Sequence, residues 1–293
     1  MSDFQRELAA AIGRATGSAF EVRSREAAHG GDISESFRLG DGSRSFFVKS
    51  QAASRLDLFE AEAAGLAELA AANAVRVPRV TCLGVAAGRA YLVLEHLSLQ
   101  SRGDAASLGR RLAQQHRVSA ERFGGARDNW IGATPQPNAW TDDWVDFWRE
   151  QRLGFQLKRA ARNGYGGTLQ SDGETLMARL DGFFGDTRPT PSLLHGDLWG
   201  GNHGFLADGQ PVIFDPAVYY GDRECDLAMS ELFGGFAPAF HAAYREAWPL
   251  DPGYATRRTL YNLYHILNHA NMFGGGYAAQ AQRMIAQLLA ELG

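Results

Sequence analysis

The chain has 293 residues, enough for one large domain or two moderate ones with a substantial buried core. Its composition is ordinary for a globular protein, and the formal charge of −4 argues against general nucleic-acid binding. The first residues lack the order of a signal peptide, and no apolar run reaches the roughly 18 residues that a membrane-spanning helix needs. Only two cysteines are present, with no metal-binding spacing, so we expect a reduced, cytoplasmic protein without a membrane partner.

The first 96 residues are predicted to combine several strands with two helices. The periodicity of apolar residues separates the two kinds of element, and Asp41-Gly42 between two strands predicts a hairpin. The predicted elements are a helix at 3–16, strands at Phe20–Val22, Glu35–Leu39 and Ser45–Lys49, a helix at Leu56–Ala72, and strands at Arg79–Gly84 and Arg89–Glu95.

After His96 the sequence becomes mainly helical. The predicted helical stretches are 105–118, 140–162, 174–184, 224–234, 237–248 and 255 to the C-terminus. The short linker Leu97–Gly103 predicts two lobes that face each other across a cleft. We therefore expect an α+β fold with a small strand-rich lobe at residues 1–96 and a larger helical lobe at residues 104–293.

The run LLHGDLWGGNHGFLADGQPVIFD, from Leu193 to Asp215, is the most informative part of the chain. Asp197 and Asn202 keep the D-x-x-x-x-N spacing of a kinase catalytic loop, and Asp215 follows an apolar stretch. In phosphoryl transfer one carboxylate takes up the proton of the attacking hydroxyl, while an amide oxygen and a second carboxylate hold Mg²⁺ on the phosphates. The alternative is a polar turn between two strands that contains an Asp and an Asn by coincidence.

Lys49 closes an apolar strand segment, Phe46-Phe47-Val48, and a glutamate-bearing helix follows it. Kinases place a strand lysine on the α- and β-phosphates of ATP and hold it with a helix glutamate. Both Glu60 and Glu62 lie on the predicted helix, and we prefer Glu62 as the partner. The alternative for the lysine is a solvated charge at a strand end.

Two further segments of the first lobe are candidates for nucleotide binding. Gly30-Gly31 lies between strand candidates, and consecutive glycines let backbone N–H groups approach phosphate oxygens, although such pairs are common in hairpins. The strand that ends at Glu95 runs through His96 and Leu97 into the linker, where a kinase presents backbone groups to adenine. We therefore expect Gly30, Gly31, Glu95 and Leu97 to contact ATP.

Charged groups in the second lobe are assigned structural roles. Asp222 is expected to cap the helix that follows it, and Asp226 to anchor the catalytic loop rather than touch substrate. A group of basic residues at helical spacing is expected to form a solvated face: Arg149, Arg152, Lys158, Arg159 and Arg162.

The segments HGDLWGGN, FDPAVYYGDRECDLAM, DNWIGATPQPN, WREQRLGFQL and LYHILNHANMFGG resemble the fructosamine kinase (ketosamine-3-kinase) family. The resemblance runs from the Gly30-Gly31 region to the last helix. It implies a two-lobed protein-kinase-like fold and ATP- and Mg²⁺-dependent phosphorylation of a ketosamine sugar hydroxyl at O3. Ketosamines are the Amadori products of amine glycation, free or on protein lysines, and the 3-phosphates decompose spontaneously.

The resemblance also implies residue roles. Asp197 is the catalytic base, Asn202 and Asp215 are the metal ligands, Lys49 is the phosphate-binding lysine, and Glu62 is its helix partner.

Trp199 and His269 match positions that line the ketosamine pocket, whereas from the residues alone a core tryptophan and a satisfied helix histidine are the expectation. Many family members carry a cysteine in the glycine-rich loop that is linked to redox-controlled dimers. Here Asp32-Ile33-Ser34 follows the glycines, so we do not expect redox control through this loop.

We expect a monomeric ketosamine kinase, although the residues leave the oligomeric state open. The alternatives are another small-molecule kinase of the same fold, acting on an aminoglycoside or an amino alcohol, and a pseudokinase without turnover. An aminoglycoside site should be rich in acids, and the Trp199 and His269 positions argue against it.

Overall fold

The computed structural model describes residues 1–28 and 34–293. The elements up to residue 104 are α1 (Asp3–Thr16), β1 (Ser24–Ala27), β2 (Glu35–Gly40), β3 (Ser45–Ala52), a 3₁₀ turn (Ala53–Arg55), α2 (Leu56–Ala71), β4 (Val80–Ala86) and β5 (Arg89–Glu95). The elements up to residue 194 are α3 (Ala105–His116), β6 (Asn129–Ile131), β7 (Thr134–Gln136), α4 (Trp144–Phe147), a π-helical segment (Trp148–Leu153), α5 (Gly154–Arg162), α6 (Thr168–Ala178), a 3₁₀ turn (Leu180–Phe183) and β8 (Ser192–Leu194). The remaining elements are β9 (His203–Phe205), β10 (Pro211–Ile213), β11 (Tyr219–Gly221), α7 (Glu224–Ser230), α8 (Pro238–Ala247), α9 (Tyr254–Phe273) and α10 (Tyr277–Glu291).

These residues form two compact units. The first unit consists of Met1–Asp104 and Gly201–Pro216, and the second of Ala105–Gly200 and Ala217–Gly293. The Leu193–Asp215 run is therefore divided, because Asp197 belongs to the second unit while Asn202 and Asp215 belong to the first. The division into an ATP-binding and a catalytic lobe at residues 96 and 104 stays a prediction.

The first unit is built on an antiparallel sheet with the strand order β1-β2-β3-β5-β4. Side chains alternate between its two faces along each strand. One face packs against α1 and forms an apolar core that includes Leu8, Ile12, Phe37, Val48 and Val93. Because of the same alternation, the residues between these positions, among them Phe47 and Lys49 on β3, belong to the opposite face.

The second unit is mainly helical, with short strand pairs between the helices. Helix α9 lies at its centre and contacts α5, α7 and α10, while α3 packs along α8. Phe147, Trp148, Leu260, Tyr261 and Ile266 belong to its large core cluster. No helix in the described part of either unit is long and apolar enough to cross a membrane.

The expectations about local structure that are wrong include the first strand and the basic group. Phe20–Val22 is not a strand, because Phe20 is buried edge-to-face against Phe46 and the strand begins at Ser24. The basic group is not a uniformly solvated face, because Arg152 is fully buried. Its guanidinium donates to Pro137 O and lies 4.1 Å from the ring centroid of Tyr219, so carbonyl and aromatic groups replace water around the charge.

Candidate active site

Lys49 and Glu62 form a buried ion pair in the first unit. Lys49 Nζ lies 2.7 Å from Glu62 Oε1, and both side chains are 9% exposed. On α2, Glu62 belongs to the buried stripe that contains Leu58, Leu66 and Leu69, whereas Glu60 is exposed. The preference for Glu62 over Glu60 as the partner of Lys49 is confirmed, and a carboxylate at a core position of a helix requires such a partner.

Asp215 is the second carboxylate on Lys49, with Oδ1 2.7 Å from Nζ. The antiparallel pair β9 and β10 brings Asp215 to Asn202, because Ile213 pairs with His203 and Phe214 N donates to Asn202 O at 3.1 Å. The Asn202 Nδ2 atom donates to Asp215 O at 3.5 Å. Asp215 has a φ of 57°, a left-handed conformation that is strained for a residue other than glycine.

The three charges of this cluster affect one another strongly. Burial alone would lower the pKa of Lys49, but the carboxylates of Asp215 and Glu62 outweigh it and raise that pKa. Burial raises the pKa of Glu62, and the charge of Asp215 adds to this effect while Lys49 opposes it. The lysine is therefore held as an ammonium ion.

A cavity of about 430 Å³ lies in the first unit, within the usual size range of small-molecule sites. Its lining includes the predicted residues Glu95 and Leu97 and also Asp215, the partner of Lys49. Its apolar wall consists of Phe47, Pro78, Leu94, Leu99 and Phe214. The cavity thus combines a wall suited to a flat aromatic ring with a charged group that belongs to the Lys49 cluster.

The side chain of Glu95 has a structural partner, since it pairs with Arg76. Its backbone N–H donates to Arg79 O at 2.9 Å, so this donor is used within the unit.

The cavity residues that the sequence did not predict as site residues include two basic side chains, Arg38 and His96. Arg38 pairs with Phe47 across β2 and β3, so strand alternation could have placed it on the face of Lys49. His96 Nδ1 lies 3.2 Å from Ser45 Oγ, and burial followed by the Arg38 charge lowers its pKa. No local pattern distinguishes His96 from an ordinary linker residue.

Asp197 lies in the second unit, on the loop that follows β8. Asp226 holds this loop through its buried carboxylate, which accepts from His195 N at 2.7 Å and from Gly196 N at 2.8 Å. A Cβ atom at Gly196 would lie 2.0 Å from Ala217 O, and its φ is 84°, so the loop requires glycine there. Asp226 thus anchors the loop of Asp197, as expected, while the catalytic role of that loop stays a prediction.

A chain of hydrogen bonds extends from Asp226 into the core of the unit. His116 Nε2 lies 3.1 Å from Asp226 Oδ2, and Nδ1 lies 2.8 Å from the hydroxyl of Tyr244. Burial would raise the pKa of Asp226, but the hydrogen bonds from His116 and Gly196 lower it overall. Because a carboxylate only accepts, Nε2 of His116 must carry the hydrogen of this bond.

The predicted helix cap is confirmed in part. Asp222 Oδ1 accepts from Glu224 N, the first residue of α7, at 3.0 Å. Its other oxygen accepts from the Tyr261 hydroxyl at 2.5 Å, which ties α7 to α9.

Trp199 and His269 lie on different elements of the second unit. Trp199 is 38% exposed in the loop after Asp197, so it is not a core aromatic. His269 lies on α9, half-buried, and its Nδ1 donates to His265 O at 2.8 Å. Burial lowers the pKa of His269, although the hydrogen bond to His265 opposes this.

Gly30, Gly31 and Asp32 lie outside the described residues, so their predicted contact with phosphates stays a prediction. Within residues 1–28 and 34–293, no group of three or more His, Cys, Asp or Glu side chains is placed to hold a metal ion. The assignment of Asn202 and Asp215 as metal ligands stays a prediction.

Comparison with known proteins decides which family these features represent. Residues 4–291 match the model of the fructosamine kinase family. The chain belongs to this family. Over 286 residues it is 49% identical to a protein of Synechocystis named "Probable ketoamine kinase", with 96% of each chain covered. It is 40% identical over 278 residues to the chloroplastic protein-ribulosamine 3-kinase of Arabidopsis thaliana, covering 93% of this chain and 85% of the relative.

A solved structure supports the same assignment. A candidate fructosamine-3-kinase from Haemophilus somnus 129PT matches with a TM-score of 0.90 at 30% identity, over 98% of each chain. The predicted protein-kinase-like α+β fold class is thus confirmed, with a strand-rich N-terminal sheet and a helical C-terminal part. As a member of the fructosamine kinase family, the protein is an ATP-dependent phosphotransferase.

Proposed function

We propose that this kinase transfers the γ-phosphoryl group of ATP to the O3 hydroxyl of ketosamines of the fructosamine or ribulosamine type. Because the resulting 3-phosphates decompose spontaneously, the reaction would release the amine and repair glycation. The observation that best supports ATP as the donor is the Lys49 ammonium group between Glu62 and Asp215, beside a cavity that Asp215 also lines. The choice of a ketosamine as the acceptor is supported by membership of the fructosamine kinase family and by relatives that are named ketoamine kinase and ribulosamine 3-kinase.

The first unit supplies the groups for ATP. The adenine ring enters the cavity between Phe47 and Leu94, next to Glu95 and Leu97, and Lys49 binds the α- and β-phosphates as a point charge. Glu62 keeps the lysine in place, because a buried ammonium without a carboxylate partner is costly.

Asn202 and Asp215 would hold Mg²⁺. Their amide and carboxylate oxygens are the hard donors that this ion prefers, and it commonly takes only one or two protein carboxylates. The hydrogen bond from Asn202 Nδ2 to Asp215 O uses the amide nitrogen, and Oδ1 is the atom of this side chain that can bind a metal ion. When bound, the ion neutralises charge on the phosphates.

Asp197 acts on the acceptor. Its carboxylate takes up the proton of the O3 hydroxyl as that oxygen attacks the γ-phosphorus atom, and ADP leaves with the electron pair of the broken P–O bond. Asp226 keeps the loop of Asp197 in one conformation through its two backbone hydrogen bonds. Trp199 offers an exposed indole face for the C–H surface of the sugar, and His269 lines the same acceptor pocket.

An acceptor panel tests this function against the alternatives. ADP formation is measured with ribulosamine, fructosamine and erythrulosamine derivatives of lysine, and with kanamycin and choline. We expect turnover with the ketosamines and none with kanamycin or choline. Turnover only with kanamycin or choline would establish the small-molecule kinase alternative.

We also propose that the enzyme is a monomer, and a dimer mass in sedimentation at assay concentrations would contradict this.

A further inference from the structure

Exposed aromatic side chains in the described part of the chain are concentrated in the second unit, at Trp199, Phe233 and Phe273. Phe233 is 38% exposed and Phe273 is 52% exposed. Both rings contact the imidazole of His269, with centroid distances of 4.7 Å and 5.5 Å. The ring of Tyr277 lies 5.2 Å away. The predicted substrate residue His269 is thus bracketed by aromatic rings, two of which are open to solvent.

The backbone of Phe233 has an unusual conformation. Its φ is 52°, in the left-handed region, and Gly234 and Gly235 follow with φ values of 96° and 70°. A bulky residue in this region is strained, and such strain concentrates at functional sites and ligand clamps. Here the strain does not bury the ring, because more than a third of Phe233 stays exposed. Turn hydrogen bonds from Gly235 N to Leu232 O and from Phe236 N to Ser230 O fix this backbone, and the turn presents the ring at the surface instead of in the core.

The chemistry of this cluster suits an organic cation. His269 donates from Nδ1 to His265 O, and burial lowers its pKa, so its ring is neutral near pH 7 and does not repel a cation. The faces of the phenylalanine rings carry negative partial charge and attract ammonium groups. The same faces pack well against the methylenes next to the nitrogen.

We propose that Phe233 and Phe273 form, beside His269, a subsite for the amine half of the ketosamine. Its ligand is the protonated secondary amine together with the adjacent methylenes. The inference rests on the proposed function and deepens it, because this subsite would let the enzyme distinguish a ketosamine from the parent ketose, which lacks the amine. Since the rings are open to solvent, a glycated lysine side chain of a protein could reach them as well as a free ketosamine.

Variants that keep the apolar volume but remove the ring face test this inference. Phe233→Leu and Phe273→Leu are compared with Phe233→Tyr and Phe273→Tyr, which retain the face. Val85→Ala, at an exposed apolar residue of the first unit, is the matched control. The acceptors are ribulosyl-lysine and ribulose, with the inhibition constant of ribulose measured where its turnover is too slow. Thermal unfolding of each variant is recorded alongside.

We expect each leucine variant to lose about three- to thirtyfold in kcat/KM for ribulosyl-lysine, the range for an ammonium over an aromatic face. The kcat/KM or inhibition constant of ribulose and the KM for ATP should be unchanged. The tyrosine variants should retain the wild-type kcat/KM for ribulosyl-lysine. Equal losses for both acceptors, or no loss in either leucine variant, would overturn the subsite while leaving the proposed function in place. If the wild-type enzyme turns over no ketosamine at all, the proposed function fails and the subsite with it. If Phe233→Leu does not fold, the comparison of Phe273→Leu with Phe273→Tyr, at the end of α9, still tests the subsite.

Discussion

Lys49 faces two carboxylates, so this cluster, in which Asp215 is only partly buried, carries one negative charge more than positive when both are ionised. Such a cluster is poorly balanced by itself, because buried charges are stable only when they are paired and hydrogen-bonded. A magnesium-bound nucleotide would supply both the missing cation for Asp215 and the anionic phosphates for Lys49. At the scale of single residues, the structure therefore predicts that magnesium strengthens the binding of ATP and that ATP strengthens the binding of magnesium.

Replacing Asp215 tests this dependence. We expect Asp215→Ala to weaken the binding of Mg·ATP far more than that of ATP without magnesium, because the carboxylate acts through the ion. The loss without magnesium should be small, since the variant also releases Lys49 from one of its two carboxylates. Nucleotide titrations with magnesium and with a chelator measure both constants. Asp208→Ala, at an exposed aspartate of the same β9–β10 hairpin, is the control, and equal losses in both titrations would remove Asp215 from the metal site.

Asp197 is predicted to act in the chemical step and not in nucleotide binding. The variant Asp197→Asn keeps the shape of the side chain but cannot take up the proton of the hydroxyl, so kcat should fall by orders of magnitude. The affinity for ATP, measured by titration of the same preparation, should change little. If the variant retains more than about a tenth of the wild-type kcat, a difference of less than about 1.4 kcal/mol in the barrier, then Asp197 is not the base.

At the scale of elements, the loop of Asp197 is held by a buried network that joins it to α3, α7 and α8. Asp226 accepts three hydrogen bonds, from His195 N, from Gly196 N and from His116 Nε2. Removing one donor from a buried carboxylate costs about 1–3 kcal/mol, and the loop would then sample other conformations. The loop is therefore held in place by packed helices whose residues are distant from it in the sequence.

His116 offers a matched pair of variants that tests this network. The amide nitrogen of a glutamine can replace Nε2 and still donate to Asp226, whereas an asparagine reaches only the position of Nδ1, towards Tyr244. We expect His116→Gln to keep most of the wild-type kcat and His116→Asn to lose several-fold, with the KM for ATP unchanged in both. Steady-state kinetics and thermal unfolding of both variants provide the measurement. Equal kcat values at different stabilities would limit His116 to a structural role.

Much of this architecture could be predicted from the sequence. The capping box of Ser2 and Gln5 and the apolar stripes of α1 and α2 are local signals, and both helices occur where they were expected. The hairpin at Asp41 also occurs, with a loop of four residues because Gly40 pairs with Ser45. The long helix expected at 255 to the C-terminus is in fact two helices, since it breaks at the positive-φ residues Gly274 and Gly275.

What the sequence could not reveal depends on contacts distant along the chain. The burial of Arg152 depends on Tyr219, and the presence of His96 in the cavity depends on the sheet. Likewise, nothing local in the π-helical segment Trp148–Leu153 distinguishes it from an α-helix. The contact between Lys49 and Glu62 could be predicted only because a known motif specifies it, whereas the contact between Lys49 and Asp215 was not predicted.

At the scale of the whole molecule, stability should decrease in acid because of a buried histidine. Burial, with a smaller effect of His269, lowers the pKa of His265 to about 3, and its Nδ1 is buried without a partner in the described structure. Since the unfolded chain binds this proton near pH 6.5, the contribution of His265 to stability is complete above pH 6.5. It falls as the pH drops towards 3, by up to about tenfold in the unfolding equilibrium per pH unit.

Urea unfolding of the wild type and of His265→Gln, from pH 7.5 to pH 4, isolates this effect from the other titrating groups. We expect the stability difference between the two proteins to shift in favour of the variant as the pH falls below 6.5. A difference that is constant over this range would show that His265 has an ordinary pKa in the folded protein.

The central claim is that the protein phosphorylates O3 of ketosamines. Its most direct test is the position of phosphate in the product formed from ATP and ribulosyl-lysine, read by correlated phosphorus and proton NMR immediately after the reaction. The account predicts that the phosphorus signal couples to the proton on C3, and that the product then decomposes to release free lysine. Coupling to any other carbon, or a phosphorylated product that persists with lysine still attached, would contradict it.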